Sequence, residues 1–210
     1  MARRYHLLSF LENDKTDALF THARNMKGDE PNFNRVAALM VRQNHYITQR
    51  CQDCLLPALE NAKAARQKIQ DFIQAEYGHD RILAAALSSI PSSDPQVVPE
   101  SRALMDLLKF AAQRNFLAFA MIVDFFERSS YQESDAFADV LEHGGLSTAA
   151  KQINRHKDIN DGGEHENFAL GFLAFMAPVK KDYAEEALRL AEVTSNAMNL
   201  LSAGILSGLA

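Results

Sequence analysis

The chain has 210 residues, 47% hydrophobic and 23% charged, with a formal net charge of −5. This is enough for one substantial core, too little for two ordinary domains, and too apolar for a disordered polymer. An acidic balance with no basic stripe also excludes a nucleic-acid surface.

Apolar residues recur at three-and-four spacing, and no segment alternates with a period of two between turn signals. The expected fold is therefore all-α, one helical-bundle domain over residues 1–210, built of about seven helices. Arg3 and Arg4 precede only a short apolar patch without a small-residue cleavage site, so no secretory signal is expected. Lys15–Met26 reads as the first helix, stopped by Lys27-Gly28-Asp29-Glu30-Pro31. The second starts near Asn34 and reaches Pro57, whose missing N–H is expected to kink or end it. Cys51 and Cys54 form a CxxC within this helical run, not at the strand-to-helix turn of a redox motif, and read as incidental thiols.

A third helix is expected from Ala58 to Leu87 with Gly78 inside it, followed by the Ser- and Pro-rich connector Ser88–Pro99. The fourth, Glu100–Glu127, is apolar around most of its circumference and should lie centrally. After the polar Arg128–Ser134 comes an amphipathic piece, Asp135–Glu142, closed by His143-Gly144-Gly145. Ser147 is the expected N-cap of the next helix, which carries Asn154–Phe172, is interruptible at Gly162-Gly163, and ends before Pro178. Asp182–Leu206 is the last helix, and its apolar tail suggests a homodimer. The longest apolar run, Phe116–Val123, falls well short of the about 20 residues that span a bilayer. The expectation is a soluble, cytoplasmic protein without membrane or nucleic-acid partners.

Several polar groups sit where a helical core would hold leucine. At 100° per residue, Ile69, Phe72, Ile73, Leu83 and Leu87 form one stripe; Glu76 falls in its middle, with His79 beside Phe72. An acid and an imidazole at this spacing, both directed inward, need a neutralising partner, because an unpaired buried carboxylate costs several kcal/mol. Met105, Ala112, Phe116, Ala120 and Val123 line up with Glu127, a second inward acid. Later, Asp161 and His165 lie one turn apart on the face of Phe168 and Phe172. His156 lies further around the cylinder unless a break at Gly162-Gly163 returns it to that face. Glu76, His79, Glu127, His156, Asp161 and His165 together make the donor set of a non-haem di-iron or di-manganese carboxylate site in a bundle. His22 and His45 fall on amphipathic helices as surface or supporting groups, and His6 and His143 look exposed.

The phrases AEYGHD, AFAMIVDFFE and HKDINDGGEHENFAL, in this order, resemble the haem-oxygenase-like di-iron oxidases, within the superfamily of the thiaminase-II and pyrroloquinoline-quinone-synthesis proteins. The resemblance implies a haem-oxygenase-like helical bundle. It also implies one or two Fe ions, or Mn in their place, and activation of O2 to oxidise a small amine- or carboxylate-bearing substrate. That family's last cluster reads His-x-x-x-Asp-x-x-His, which from His156 lands here on Asn160 and Gly163. Matching by residue type instead selects His156, Asp161 and His165. The resemblance makes Glu76, His79, Glu127 and His156 the better-held ligands, with Gln43, Tyr46 and Tyr77 as pocket or supporting groups.

Three other readings share this bundle. A thiaminase-II-like hydrolase places a nucleophilic thiol on the fourth helix, where this chain has no cysteine. Haem degradation needs a proximal histidine near the N-terminus, a role His22 could serve. A non-catalytic module binding a small molecule or protein would keep the fold without the chemistry.

Overall fold

The computed structural model of the chain describes residues 14–26, 31–62, 65–92, 94–128, 135–161 and 180–207, with the side chains of 14–17, 124–128 and 161 outside the description. Every regular element among the described residues is helical. In chain order they are α1 (Asp14–Arg24), α2 (Pro31–Asn61), α3 (Arg66–Ala75), α4 (His79–Ser88), α5 (Pro99–Arg114), α6 (Phe116–Arg128), α7 (Ala136–His143), α8 (Ser147–Asp161) and α9 (Lys181–Ser207). No helix among the described residues is long and apolar enough to cross a membrane.

Both ends of α2 differ from expectation. The helix opens at Pro31, where a missing N–H is harmless in the first turn, and it runs through Pro57 to Asn61. Cys54, Leu55 and Ala58 are 1%, 2% and 0% exposed. Burying that face near the helix end outweighs the one backbone hydrogen bond that Pro57 removes. At 31 residues, α2 is roughly 46 Å long at 1.5 Å per residue. No disulfide joins Cys51 and Cys54; the Cys54 Sγ donates to the Met105 carbonyl, 3.6 Å away.

The third and fourth expected helices are each divided. Gly78, at φ 93°, separates α3 from α4. Asn115, at φ −149° and ψ 99°, separates α5 from α6. Asn115 is 1% exposed and acts as an N-cap, its Oδ1 accepting from the Ala118 N–H at 3.2 Å. Its amide donates to the Tyr183 carbonyl at 3.0 Å and to Glu186 Oε2 at 3.1 Å. The Phe116 N–H donates to the Tyr183 hydroxyl at 2.9 Å, and Arg114 Nε donates to Glu186 Oε1 at 2.9 Å. The first two turns of α9 thus supply the partners that make the break stable.

The turn between α7 and α8 follows from its glycines. The Gly145 N–H donates to the Glu142 carbonyl and the Leu146 N–H to that of Leu141, with Gly145 left-handed at φ 79°. This is the Schellman arrangement, which a side chain at Gly145 would strain. A Cβ on Gly144 would stand 1.9 Å from ring carbons of the fully buried Phe33, so only glycine fits. Ser147 is the first residue of α8, and its hydroxyl donates to Glu142 Oε1 at 2.8 Å, a surface link where an N-cap was expected.

Two apolar clusters form the core. One gathers α1, the first half of α2, α4, α7, α8 and the end of α9 around Phe33, Val36, Leu83, Leu104, Leu141 and Ile153. The other gathers the second half of α2, α3, α5, α6 and the start of α9 around Leu55, Ile69, Phe116 and Phe119. Only the long helices α2 and α9, with α5, contribute to both. Gln43, 2% exposed, ties α2 to the connector. Its Oε1 accepts from the Val98 N–H at 3.0 Å and the Ser101 hydroxyl at 2.8 Å, and its amide donates to the Leu39 and Gln96 carbonyls, both at 3.1 Å. Gln43 therefore braces the fold between α2 and the connector; the family resemblance had made it a pocket or supporting group.

Asp135 caps α7, accepting from the Phe137 N–H at 2.8 Å and the Ala138 N–H at 3.3 Å. Burial nevertheless pushes its carboxyl above the usual range, against those two backbone bonds; nearby Asp139 pushes the same way. With the folded-state value raised above the unfolded one, Asp135 favours the fold fully at pH below the ordinary carboxylate range, and this contribution is lost as pH rises through the raised value. Asn caps as well as Asp but does not titrate. Asp135→Asn should therefore gain stability relative to the wild type between about pH 3 and about pH 7. Parallel urea-unfolding midpoints across that window would refute the assignment.

Candidate functional site

The Gly78 turn is where the chain leaves one apolar cluster and enters the other. Ile69 and Phe72 of α3 belong to the second cluster, and Leu83 and Ala86 of α4 to the first. Glu76 closes α3, with its N–H bonded to the Phe72 carbonyl, and His79 opens α4. The Glu-x-x-His element is thus a helix–turn–helix junction, not one continuous helical face. The left-handed Gly78 still brings the two side chains together: His79 Nδ1 lies 3.4 Å from Glu76 Oε1, with side chains 4% and 9% exposed. That separation is longer than a strong charge-assisted hydrogen bond.

The third member comes from α8, which packs closely along α4. His156 sets its ring edge-on to that of His79, with centroids 5.1 Å apart and planes at 76°. Its Nε2 is shielded from solvent. Three of the six expected ligands are therefore linked through His79: Glu76, three residues before it across the Gly78 turn, and His156, brought in by α8. Glu127 lies in the last turn of α6 and Asp161 is the last residue of α8; both side chains, and all of His165, lie outside the description.

The face of α8 was not legible from residue types. Ile153, Lys157 and Asn160 are buried while Asp158 and Ile159 are exposed, which marks an unbroken helix with one inward stripe. At about 100° per residue, Asn160 lies about 40° from His156 around the axis and Asp161 about 140°. Asn160 is 9% exposed, and its Oδ1 is shielded from solvent with no hydrogen-bond donor among the described residues. Only the four-residue spacing from His156 could have pointed to it.

Other expected groups lie elsewhere. Tyr77 is 69% exposed, with the Arg81 guanidinium 5.8 Å from its ring centroid, so it does not line an interior pocket. Tyr46 packs against the second apolar cluster. His22 and His143 are exposed. His45 takes a hydrogen bond at Nδ1 from Arg42, 3.0 Å away. Burial first, and then the guanidinium, hold its titration below the usual range, against the pull of Asp80.

Among the described residues, no group of three or more His, Cys, Asp and Glu side chains is arranged to hold a metal ion. The fit to a metal rests on donor chemistry: one carboxylate, two imidazoles and the unpartnered oxygen of Asn160, all of which suit Fe(II) or Mn(II). No protein-family model matches the chain, and no curated protein matches it. What fold and site define together is an all-α bundle with an acid–imidazole cluster inside it.

Gly78 is the test of how this cluster is built. A Cβ there meets nothing within 4 Å, so replacing it brings backbone strain without a clash. Gly78→Ala should cost about 1–2 kcal/mol of stability, and Gly78→Asn less, because Asn tolerates the left-handed region. Urea denaturation of the two variants measures the difference, and equal stabilities would mean the turn does not depend on its left-handed conformation.

Proposed function

We propose that this protein is a non-haem iron-dependent oxidase or oxygenase of haem-oxygenase-like fold, which activates O2 to oxidise a small amine- or carboxylate-bearing substrate. The observation that carries the reading is the meeting of Glu76, His79 and His156 inside the bundle. Glu127, Asp161 and His165 complete the proposed ligand set for one or two iron ions, with manganese as the substitute.

Bound iron supplies open positions at which O2 is reduced. The chain's own residues do the rest. Glu76 contributes negative charge and two oxygen donors, and its contact with His79 Nδ1 orients that ring and leaves Nε2 as the nitrogen turned away from the acid. His156, edge-on to His79, adds a second neutral nitrogen donor. Buried Ile69 and Phe72 on one side of the turn, and Ile82 and Leu83 on the other, limit the access of water to this segment.

Two competing readings meet specific obstacles. A thiol nucleophile would have to be Cys51 or Cys54, both on α2. Burial pushes the Cys54 thiol up to about 12, which leaves a thiolate fraction on the order of 10⁻⁵ at neutral pH. A haem-binding role for His22 conflicts with its exposure on α1.

Protein expressed in iron-supplemented medium should contain about one to two irons per chain by elemental analysis and consume oxygen when Fe(II) is added to the stripped form. Glu127→Ala should abolish iron retention with its far-ultraviolet circular dichroism unchanged. Full iron content in that variant removes Glu127 from the ligand set, whereas a wild-type chain devoid of iron overturns the reading of the cluster as a metal centre.

A further inference from the structure

Asn160 has no place in the donor set read by residue type, yet its buried amide oxygen calls for a partner. It is 9% exposed, its Oδ1 is sealed from solvent, and no donor among the described residues reaches that oxygen. An amide oxygen withdrawn from water without a donor destabilises the fold, and such groups are rare unless a bound species completes them. The side chain stands one turn beyond His156 on the face of α8 that brings the His156 ring against His79. The nearby acid Asp161 is carried about 140° around the axis from His156 by the same regular helix.

We propose that Asn160 is a metal ligand of this site, donating Oδ1 to the same divalent cation as His156, and that the position nearest His156 is thereby filled by a neutral oxygen. This inference rests on the reading of the cluster as a metal centre. Amide oxygen is a hard donor suited to Fe(II) or Mn(II), whereas the amide nitrogen, its lone pair delocalised into the carbonyl, does not coordinate. Because an amide brings no charge, the centre holds one negative charge fewer than with a carboxylate at this position. It should bind its cation less tightly, and more reversibly, than an all-carboxylate equivalent.

Mn(II) alone is the probe, titrated calorimetrically into chelator-stripped full-length wild type, Asn160→Asp and Asn160→Leu, with thermal unfolding of the stripped proteins in parallel. Asn160→Leu, close in shape but without donors or acceptors, should weaken Mn(II) roughly tenfold or more while raising the unfolding temperature of the stripped chain. Asn160→Asp should tighten Mn(II) by a similar factor and lower the unfolding temperature of the stripped chain, because the added charge is then uncompensated. Equal Mn(II) affinity in all three proteins overturns the role of Asn160 and leaves the metal centre standing. A wild type that takes up no Mn(II) or Fe(II) overturns this inference together with the proposed function.

Discussion

The rest of this molecule is arranged around the withdrawal of an acid and two imidazoles from water. Glu76 and His79 flank a turn at which the chain crosses between two apolar clusters, and His156 reaches His79 from a helix packed alongside. A carboxylate alone at such a position carries a penalty of several kcal/mol, because low-dielectric surroundings strengthen every unbalanced charge. Convergence converts that penalty into a specific arrangement, since each group becomes tolerable only where the others are. Apolar packing on both sides of the turn holds the segment, and the polar groups decide what the segment is for.

That arrangement needs a rigid frame, and α2 and α9 provide it. Both run the length of the core and pack in both clusters, so the shorter helices hang between two struts. Buried amides pin the struts to their neighbours. Gln43 satisfies all its hydrogen-bonding capacity by holding the connector and the start of α5 against α2. Asn115 caps α6 and grips the first two turns of α9. Fully paired buried amides of this kind fix register in a way that apolar contacts, which tolerate sliding, do not.

Helix identity and most boundaries were legible because they depend on local signals. The apolar period, the Ser- and Pro-rich connector and the paired glycines at 144 and 145 act over a few residues. What was hidden depends on distant partners. The split at Asn115 is stabilised by Tyr183 and Glu186, roughly seventy positions away, and the sequence around Asn115 reads as continuous helix without them. Pro57 reads as a terminator until the burial of Ala58 is known. Gly78 was seen, but its left-handed conformation was not, so Glu76 and His79 were expected on one helical face and instead meet across a turn. Glu76 and His79 do lie together, but through a local geometry other than the one expected. Burial of polar groups is a demand on the final structure, and several local geometries can meet it.

The last part of the site shows why spacing outranks residue type. Searching for a second acid near His156 favours Asp161, because a carboxylate is the stronger ligand, and it requires the helix to bulge or break at Gly162-Gly163. The buried stripe of Ile153, Lys157 and Asn160 shows that α8 stays regular past His156. A regular helix settles which positions face together before chemistry is considered: residues four apart share a side, and residues five apart do not. A weaker donor in the right place contributes more than a stronger one turned away, since a ligand misplaced by a fraction of a helical turn makes no bond at all. The amide at 160, and not the carboxylate at 161, therefore shares the side of α8 that carries His156.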